Sequence, residues 1–228
     1  MRLDRLIQSS MQIGRRPTRA LLASREVRVN GSVETSANQQ ISAFDRVDAN
    51  GTLLQARVPR YVILNKPVGV VSATTDPDHQ TVIDLIDERW ANELHLAGRL
   101  DRFTSGLIVL TNDSSFSEAL TRPEKKVPKT YLVDTDSDIL PAVITAFQQG
   151  IHFAKEGITT QPATVELRGK RQCQLTIFEG KHHQIKRMFA QFDIKVTGLR
   201  RESVGHLQLN GLAPGHFRQL TPQERLVP

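Results

Sequence analysis

One cysteine, Cys173, stands in 228 residues. That count excludes an internal disulfide framework and suits a reducing compartment. Cys173 alternates with Leu175 and Ile177 in QCQLTIF, the pattern of an inward-facing strand residue rather than of a reactive thiol. Long apolar runs are missing too: none approaches the ~18 residues of a bilayer-spanning helix, which argues against a membrane segment. The first ten residues, MRLDRLIQSS, carry charge where an export signal needs an apolar stretch, so a cytoplasmic location is expected. Also missing are G-x-S-x-G, a phosphate-binding glycine loop and a closely spaced His, Cys and Asp ligand set, so no hydrolase or metal site is expected. His182 and His183, adjacent on a helical segment, point in different directions and make poor metal partners. No internal repeat or low-complexity tract is apparent.

What remains is a soluble globular composition, 39% hydrophobic and 24% charged, long enough for one or two domains. The net charge of +6 and isoelectric point near 9.8 point to a polyanionic partner. Its distribution is uneven. Residues 1–56 hold eight arginines against five acids, while the remaining 172 residues hold 22 Lys/Arg against 19 Asp/Glu. The two parts carry equal net charge, so the short one is the more densely basic. Arg15, Arg16, Arg19 and Arg28 belong to this cluster, the footprint of a small phosphate-contacting module.

Leu3, Leu6 and Ile7 recur at helical spacing, and a second helix is expected over Arg16–Ser24, with Pro17 in its first turn. In EVRVNGSVE, Asn30-Gly31 between valines signals a hairpin. Asn50-Gly51 closes this unit, and LLQARVPR reads as a linker, giving domains over 1–58 and 59–228. From Arg60 short strand-like runs take over: RYVILNKP, GVVSAT, GLIVLTND, TYLVDT, ATVEL and QLTIF. Helices are expected over Val82–Ala91, Ser114–Leu120, Pro141–Gln149 and HHQIKRMFAQF. In the last, Ile185, Met188, Phe189 and Phe192 make one buried stripe that leaves Lys186 and Arg187 off it. The fold class expected is α+β on a mixed, mainly antiparallel sheet, because strands and helices do not alternate regularly.

Within this frame AGRLDRFTSGL sets one carboxylate, Asp101, between Arg99 and Arg102, just ahead of an apolar run. An acid held by guanidiniums in a basic chain suits a nucleophile acting on a nucleotide; GRLD alone would equally suit a surface ion pair at a strand end. Two other segments stand out, KTYLV at 129–133 and EGKHHQIKRMFA at 179–190.

These blocks, with MRLDRLIQ, RYVILNKPVGVVSAT, DPDHQTV and LRRESVGHLQLNGLAPGHFRQLTPQE, follow one another in the order found in the RsuA/RluB family of ribosomal RNA pseudouridine synthases, which the chain resembles over nearly its whole length. The resemblance implies a small N-terminal RNA-binding domain of the kind in the fourth small-subunit ribosomal protein, ahead of a pseudouridine synthase domain. It also implies no cofactor and no metal, since isomerising uridine oxidises nothing, and ribosomal RNA as the partner, met by a monomer on an assembly intermediate. DPDHQTV, KTYLV and RESVGHLQL favour the branch acting on one uridine of 16S rRNA; a 23S enzyme of the same family, or a non-catalytic RNA-binding assembly protein, is the alternative. His182-His183 and Phe103 depart from the family pattern, without touching the expected chemistry.

By the same resemblance Asp101 is the nucleophile, or the base that deprotonates the ribose. Lys186 is its cationic partner, and Tyr131 stacks on the target base and assists proton removal from C5. Arg99 enters the RNA stack where the uridine leaves, and Arg102 contacts phosphate or a neighbouring acid. Lys66 lines the RNA groove, and Leu175 and Ile177 form an apolar pocket wall or serve only as core.

Overall fold

The computed structural model describes residues 1–226, and the chain divides into two compact units, Met1–Pro59 and Arg60–Pro228. In the first, α1 (Leu3–Met11) and α2 (Arg15–Ala23) precede β1 (Val27–Val29), β2 (Ser32–Val33), β3 (Val47–Ala49) and β4 (Thr52–Gln55). The strands form an antiparallel sheet in the order β2-β1-β3-β4. Leu3, Leu6 and Ile7 give α1 one apolar face, buried with Leu22, Val27 and Val47. Asn30 and Gly31 turn the β1–β2 hairpin at φ 49° and 85°, the positive pair that a tight two-residue turn requires. Asn50-Gly51 repeats the device between β3 and β4. TLLQ is therefore a strand folded back on β3, where the sequence suggested the start of a linker.

The second unit contains β5 (Tyr61–Lys66), β6 (His95–Leu96), β7 (Ser105–Thr111), α3 (Ser114–Thr121), β8 (Lys129–Thr135) and α4 (Pro141–Gln149). It continues with β9 (His152–Phe153), β10 (Ile158–Thr159), β11 (Thr164–Gly169), β12 (Gln172–Ile177), α5 (Gln184–Ala190), β13 (Val196–Val204), β14 (Leu207–Gln208) and β15 (Phe217–Gln219). The main sheet runs β11-β12-β8-β13-β7-β5-β15, with β6 on β7 and β14 on β13. Its one parallel junction among the described residues joins β7 to β13; the other pairs are antiparallel. The sheet is thus mixed and mainly antiparallel, as expected.

Strands β5 and β7 are covered on both faces, which is why they read as continuous apolar runs. Ile63, Leu107 and Val109 pack with Phe116 and Leu120 of α3, whereas Val62, Leu64, Ile108 and Leu110 pack with Val82, Ile83 and Ile86. Towards β12, α4 and α5 cover the sheet: Phe147 and Phe189 meet edge-on at 4.9 Å and bury Val133, Cys173 and Leu175. Cys173 is a fully buried strand residue, and burial pushes its thiol up to about 11.

Two expected elements do not form. Val82–Ala91 is not a helix, because Asp84 Oδ2 accepts both the amide and the hydroxyl of Thr81 while the Val82 amide is drawn to the Val71 carbonyl. Only a 3-10 turn, Ala91–Glu93, follows, and the apolar residues that mimic a helical stripe are buried from irregular backbone. GVVSAT is a loop in which Val71 alone bridges, to Thr81. Among the described residues no helix is long and apolar enough to cross a membrane.

Candidate active site

Asp101 lies on the turn between β6 and β7 and is fixed mainly through its neighbours' backbone. Its carbonyl accepts the Thr104 amide at 3.0 Å. Ser72 Oγ donates to the Leu100 carbonyl at 2.7 Å and accepts the Leu100 amide at 3.1 Å. The Arg102 carbonyl takes the Gly69 amide at 2.9 Å, and Arg102 Nε returns a bond to the Gly69 carbonyl at 3.1 Å. The loop after β5 thus clamps the acid's turn.

Lys66 ties the same two loops from inside. It is fully buried, and its Nζ donates to the carbonyls of Pro67 (3.0 Å), Val70 (2.7 Å) and Arg102 (3.3 Å). Burial pulls the ammonium down to about 8, against the pull of Asp101. The expectation that Lys66 lines an RNA groove is therefore corrected: all its donors are turned inward to backbone.

Helix α5 faces the turn. Lys186 Nζ lies 4.0 Å from Asp101 Oδ2, and His183 Nε2 lies 3.3 Å from Oδ1. Each carboxylate oxygen therefore has a basic side chain beside it. His183 has a φ of 50° and precedes the helix, and its ring stacks on His182 at 3.9 Å. The two histidines are thus neither on the helix nor divergent, and His183 touches the acid from which it was expected to stand clear. Glu179 braces this end of the cleft: its Oε1 accepts Gln184 Nε2 at 2.8 Å and the Gln161 amide at 2.9 Å, and it pairs with Lys181.

The third wall is the sheet. Tyr131 on β8 stands opposite Leu175 on β12 and Arg201 on β13, so the three side chains share a face. Tyr131, Ile177, Arg201 and Lys129 line an open cleft of about 1130 Å³ together with Asp101, Arg99 and Lys186. That volume admits a nucleotide. Leu175 does not line it; of the two candidate wall residues only Ile177 does, because α5 seals Leu175 into the core. His183, Arg201 and Thr104 are among the lining residues outside the expected site. For Arg201 the signal was present but ambiguous, since strand alternation sets Arg200 and Arg201 on opposite faces without saying which faces in.

Arg99 is exposed at the cleft, with no hydrogen bond or ion pair among the described residues. Arg102 is exposed and meets His79 Nε2 at 2.7 Å, whose Nδ1 faces Asp76 Oδ1 at 3.1 Å. Asp76, Asp78 and His79 can bring ligand atoms within 4.8 Å of one another, which amends the expectation of no such cluster. Asp76 Oδ1, however, already accepts the Asp78 and His79 amides. In the first unit Arg15, Arg16 and Arg19 are exposed on α2, and Arg28 donates to the Gly31 carbonyl at 3.1 Å. Arg2 and Arg46 instead pair with Asp4 and Asp48.

Residues 60–191 match the family model described as RNA pseudouridylate synthase. Over 226 residues, 98% of both chains, the protein is 43% identical to the ribosomal small subunit pseudouridine synthase A of Pseudomonas aeruginosa (strain PAO1). It is 39% identical to the protein of the same name in Escherichia coli (strain K12), again with 98% of each chain covered. A crystal structure of a pseudouridylate synthase superposes with a TM-score of 0.72 at 35% identity, covering 99% of this chain and 98% of the other. A cleft holding an acid between two bases, on a sheet shared with a solved pseudouridylate synthase, and likeness running the length of the chain together show that it belongs to the RNA pseudouridylate synthase family, in its RsuA/RluB group.

Proposed function

We propose that the protein converts one uridine of 16S ribosomal RNA into pseudouridine, with Asp101 as the acting carboxylate. The observation that carries this reading is the Asp101 carboxylate between Lys186 and His183 in a cleft that Tyr131 also lines. Full-length likeness to proteins named for the small ribosomal subunit supports the choice of RNA. The reaction breaks the bond from ribose C1′ to N1, turns the base, joins C5 to C1′, takes the proton from C5 and returns one to N1. No electrons are gained or lost. A carboxylate can open this route by adding to the sugar or by removing a ribose proton, and either role needs it placed against the ribose.

Tyr131 and Ile177, both lining the cleft, pack on the extruded base, and the Tyr131 hydroxyl assists proton removal at C5. Arg99, exposed at the cleft, fills the gap left in the RNA stack, and Arg102 contacts phosphate beside it. The first unit, with Arg15, Arg16, Arg19 and Arg28, grips flanking RNA as a ribosomal-protein-type domain, and the enzyme acts as a monomer on an assembly intermediate. Asp101→Asn removes the charge and keeps the shape. With tritium at C5 of the substrate uridines, tritium release falls by at least ~10³-fold while RNA affinity stays within a few fold; release at the wild-type rate refutes the carboxylate mechanism.

A further inference from the structure

Thr104 and Arg201 line the cleft, and the buried Thr104 Oγ1 and Arg201 Nη2 find no hydrogen-bond partner among the described residues. Their residues are 2% and 4% exposed. Buried donors and acceptors are almost always satisfied, because an unmet one bears its full desolvation cost, so two in one cleft point to a ligand that meets them.

Both groups are held firmly. Arg201 Nε donates to the Leu107 carbonyl at 2.7 Å, which fixes the guanidinium plane and leaves Nη2 over. The Thr104 amide bonds the Asp101 carbonyl, so the hydroxyl travels with the acid's own turn. The parallel register sets Arg201 beside Gly106 and Arg200 beside Ser105, bringing Thr104 to the same end of the strand pair. Positive charge is in excess here. Lys129 stands one alternation along β8 from Tyr131, and burial, with Arg201 near it, holds its ammonium below the usual lysine range. The carboxylates lining the cleft are Asp101 and Glu179, and Glu179 is engaged by Lys181, Gln184 and the Gln161 amide.

We propose that Arg201 and Thr104 are the base-reading residues of this site: Arg201 Nη2 donates to a carbonyl oxygen of the extruded uracil, and Thr104 Oγ1 accepts its N3–H. This rests on the reading of the cleft as a uridine isomerase. Uracil suits such a pair because of what the reaction does to it. Turning the ring about the line from N3 to C6 exchanges N1 with C5 and, with them, O2 with O4. N3–H lies on that line and keeps its place. One fixed donor and one fixed acceptor therefore meet the same pattern before and after the turn. When the C1′–N1 bond breaks, its electron pair stays on the base as a uracil anion shared between N1 and the carbonyl oxygens, and Arg201 faces that charge from a water-poor wall. Cytosine lacks this symmetry: its amino group would oppose a donor-only guanidinium in one of the two orientations.

The test compares uridine, 2-thiouridine and 4-thiouridine at the target position of one RNA under single-turnover conditions. Sulfur accepts hydrogen bonds poorly, so the wild-type enzyme slows on each thio substrate by about tenfold. Arg201→Met is slower on uridine by about tenfold or more and loses the distinction, treating all three substrates within about twofold of one another. Thr104→Val, close in shape, lowers the single-turnover rate about tenfold with RNA affinity within about twofold. Should near-ultraviolet circular dichroism show Arg201→Met unfolded, Arg201→Leu takes its place in the same comparison. A variant at 201 that discriminates against sulfur as the wild type does, or wild-type turnover by Thr104→Val, overturns the inference. Failure of the wild-type enzyme to make pseudouridine from unmodified RNA is a different result, which refutes the function itself.

Discussion

A lysine with no exposed surface sits at the root of this site, and its chemistry sets what the acid's turn can do. Lys66 donates to three carbonyls from two loops, one of them the carbonyl next to Asp101. Lys66→Met leaves those acceptors unmet and is expected to cost ~1–3 kcal/mol in urea unfolding, with activity falling because the turn loosens. The lysine also has a pH signature. Its ammonium is held down to about 8 in the folded protein against an ordinary 10.5, so between these values the unfolded chain binds more protons than the native one. Stability from this group therefore rises with pH across that window. The rise disappears in Lys66→Met; a variant that keeps it shows that some other group titrates. Asp101, Tyr131 and Lys186 were legible as residues because each stands in a block with a recognisable pattern. Lys66 was misread because sequence shows a cation beside a proline and cannot show the loop that folds over it. The place of His183 beside Asp101 was not legible, because it depends on a positive φ that nothing nearby in the sequence announces.

At the scale of elements the critical junction is the parallel one between β7 and β13. Gly106, at φ 105°, lies directly beside Arg201. A Cβ there would overlap the Arg201 carbonyl oxygen and come to 2.7 Å from the Arg201 nitrogen. Gly106→Ala must push β7 away from β13, and with it the turn of Thr104 away from Arg201, and is expected to cost more than about 4 kcal/mol in urea unfolding. A loss below about 1 kcal/mol would mean that the junction yields easily. Most elements followed from local pattern: α3, α4 and α5, the strands buried on both faces and the Asn-Gly hairpin all have a periodicity or turn chemistry of their own. Val82–Ala91 did not, because its apolar spacing answers to the sheet it covers while Thr81 and Asp84 bond into a turn. Strand β4 was read as linker because its partner, β3, lies on the far side of a second Asn-Gly turn.

The whole molecule joins a unit rich in exposed arginines to one that carries the cleft. If the first unit grips phosphate, deleting residues 1–59 flattens the salt dependence of RNA binding, by a slope of about 0.7–0.9 for each phosphate no longer neutralised, while the remaining unit keeps its cleft. An unchanged slope would assign RNA binding to the second unit alone. The central claim concerns the RNA that leaves this protein altered. Pseudouridine mapped across total ribosomal RNA, from cells with the gene intact, deleted, and restored as Asp101→Asn, tests it most directly. The account predicts one 16S position that carries pseudouridine only with the intact gene; a full set of modifications in all three strains, or a lost position in 23S RNA instead, would contradict it.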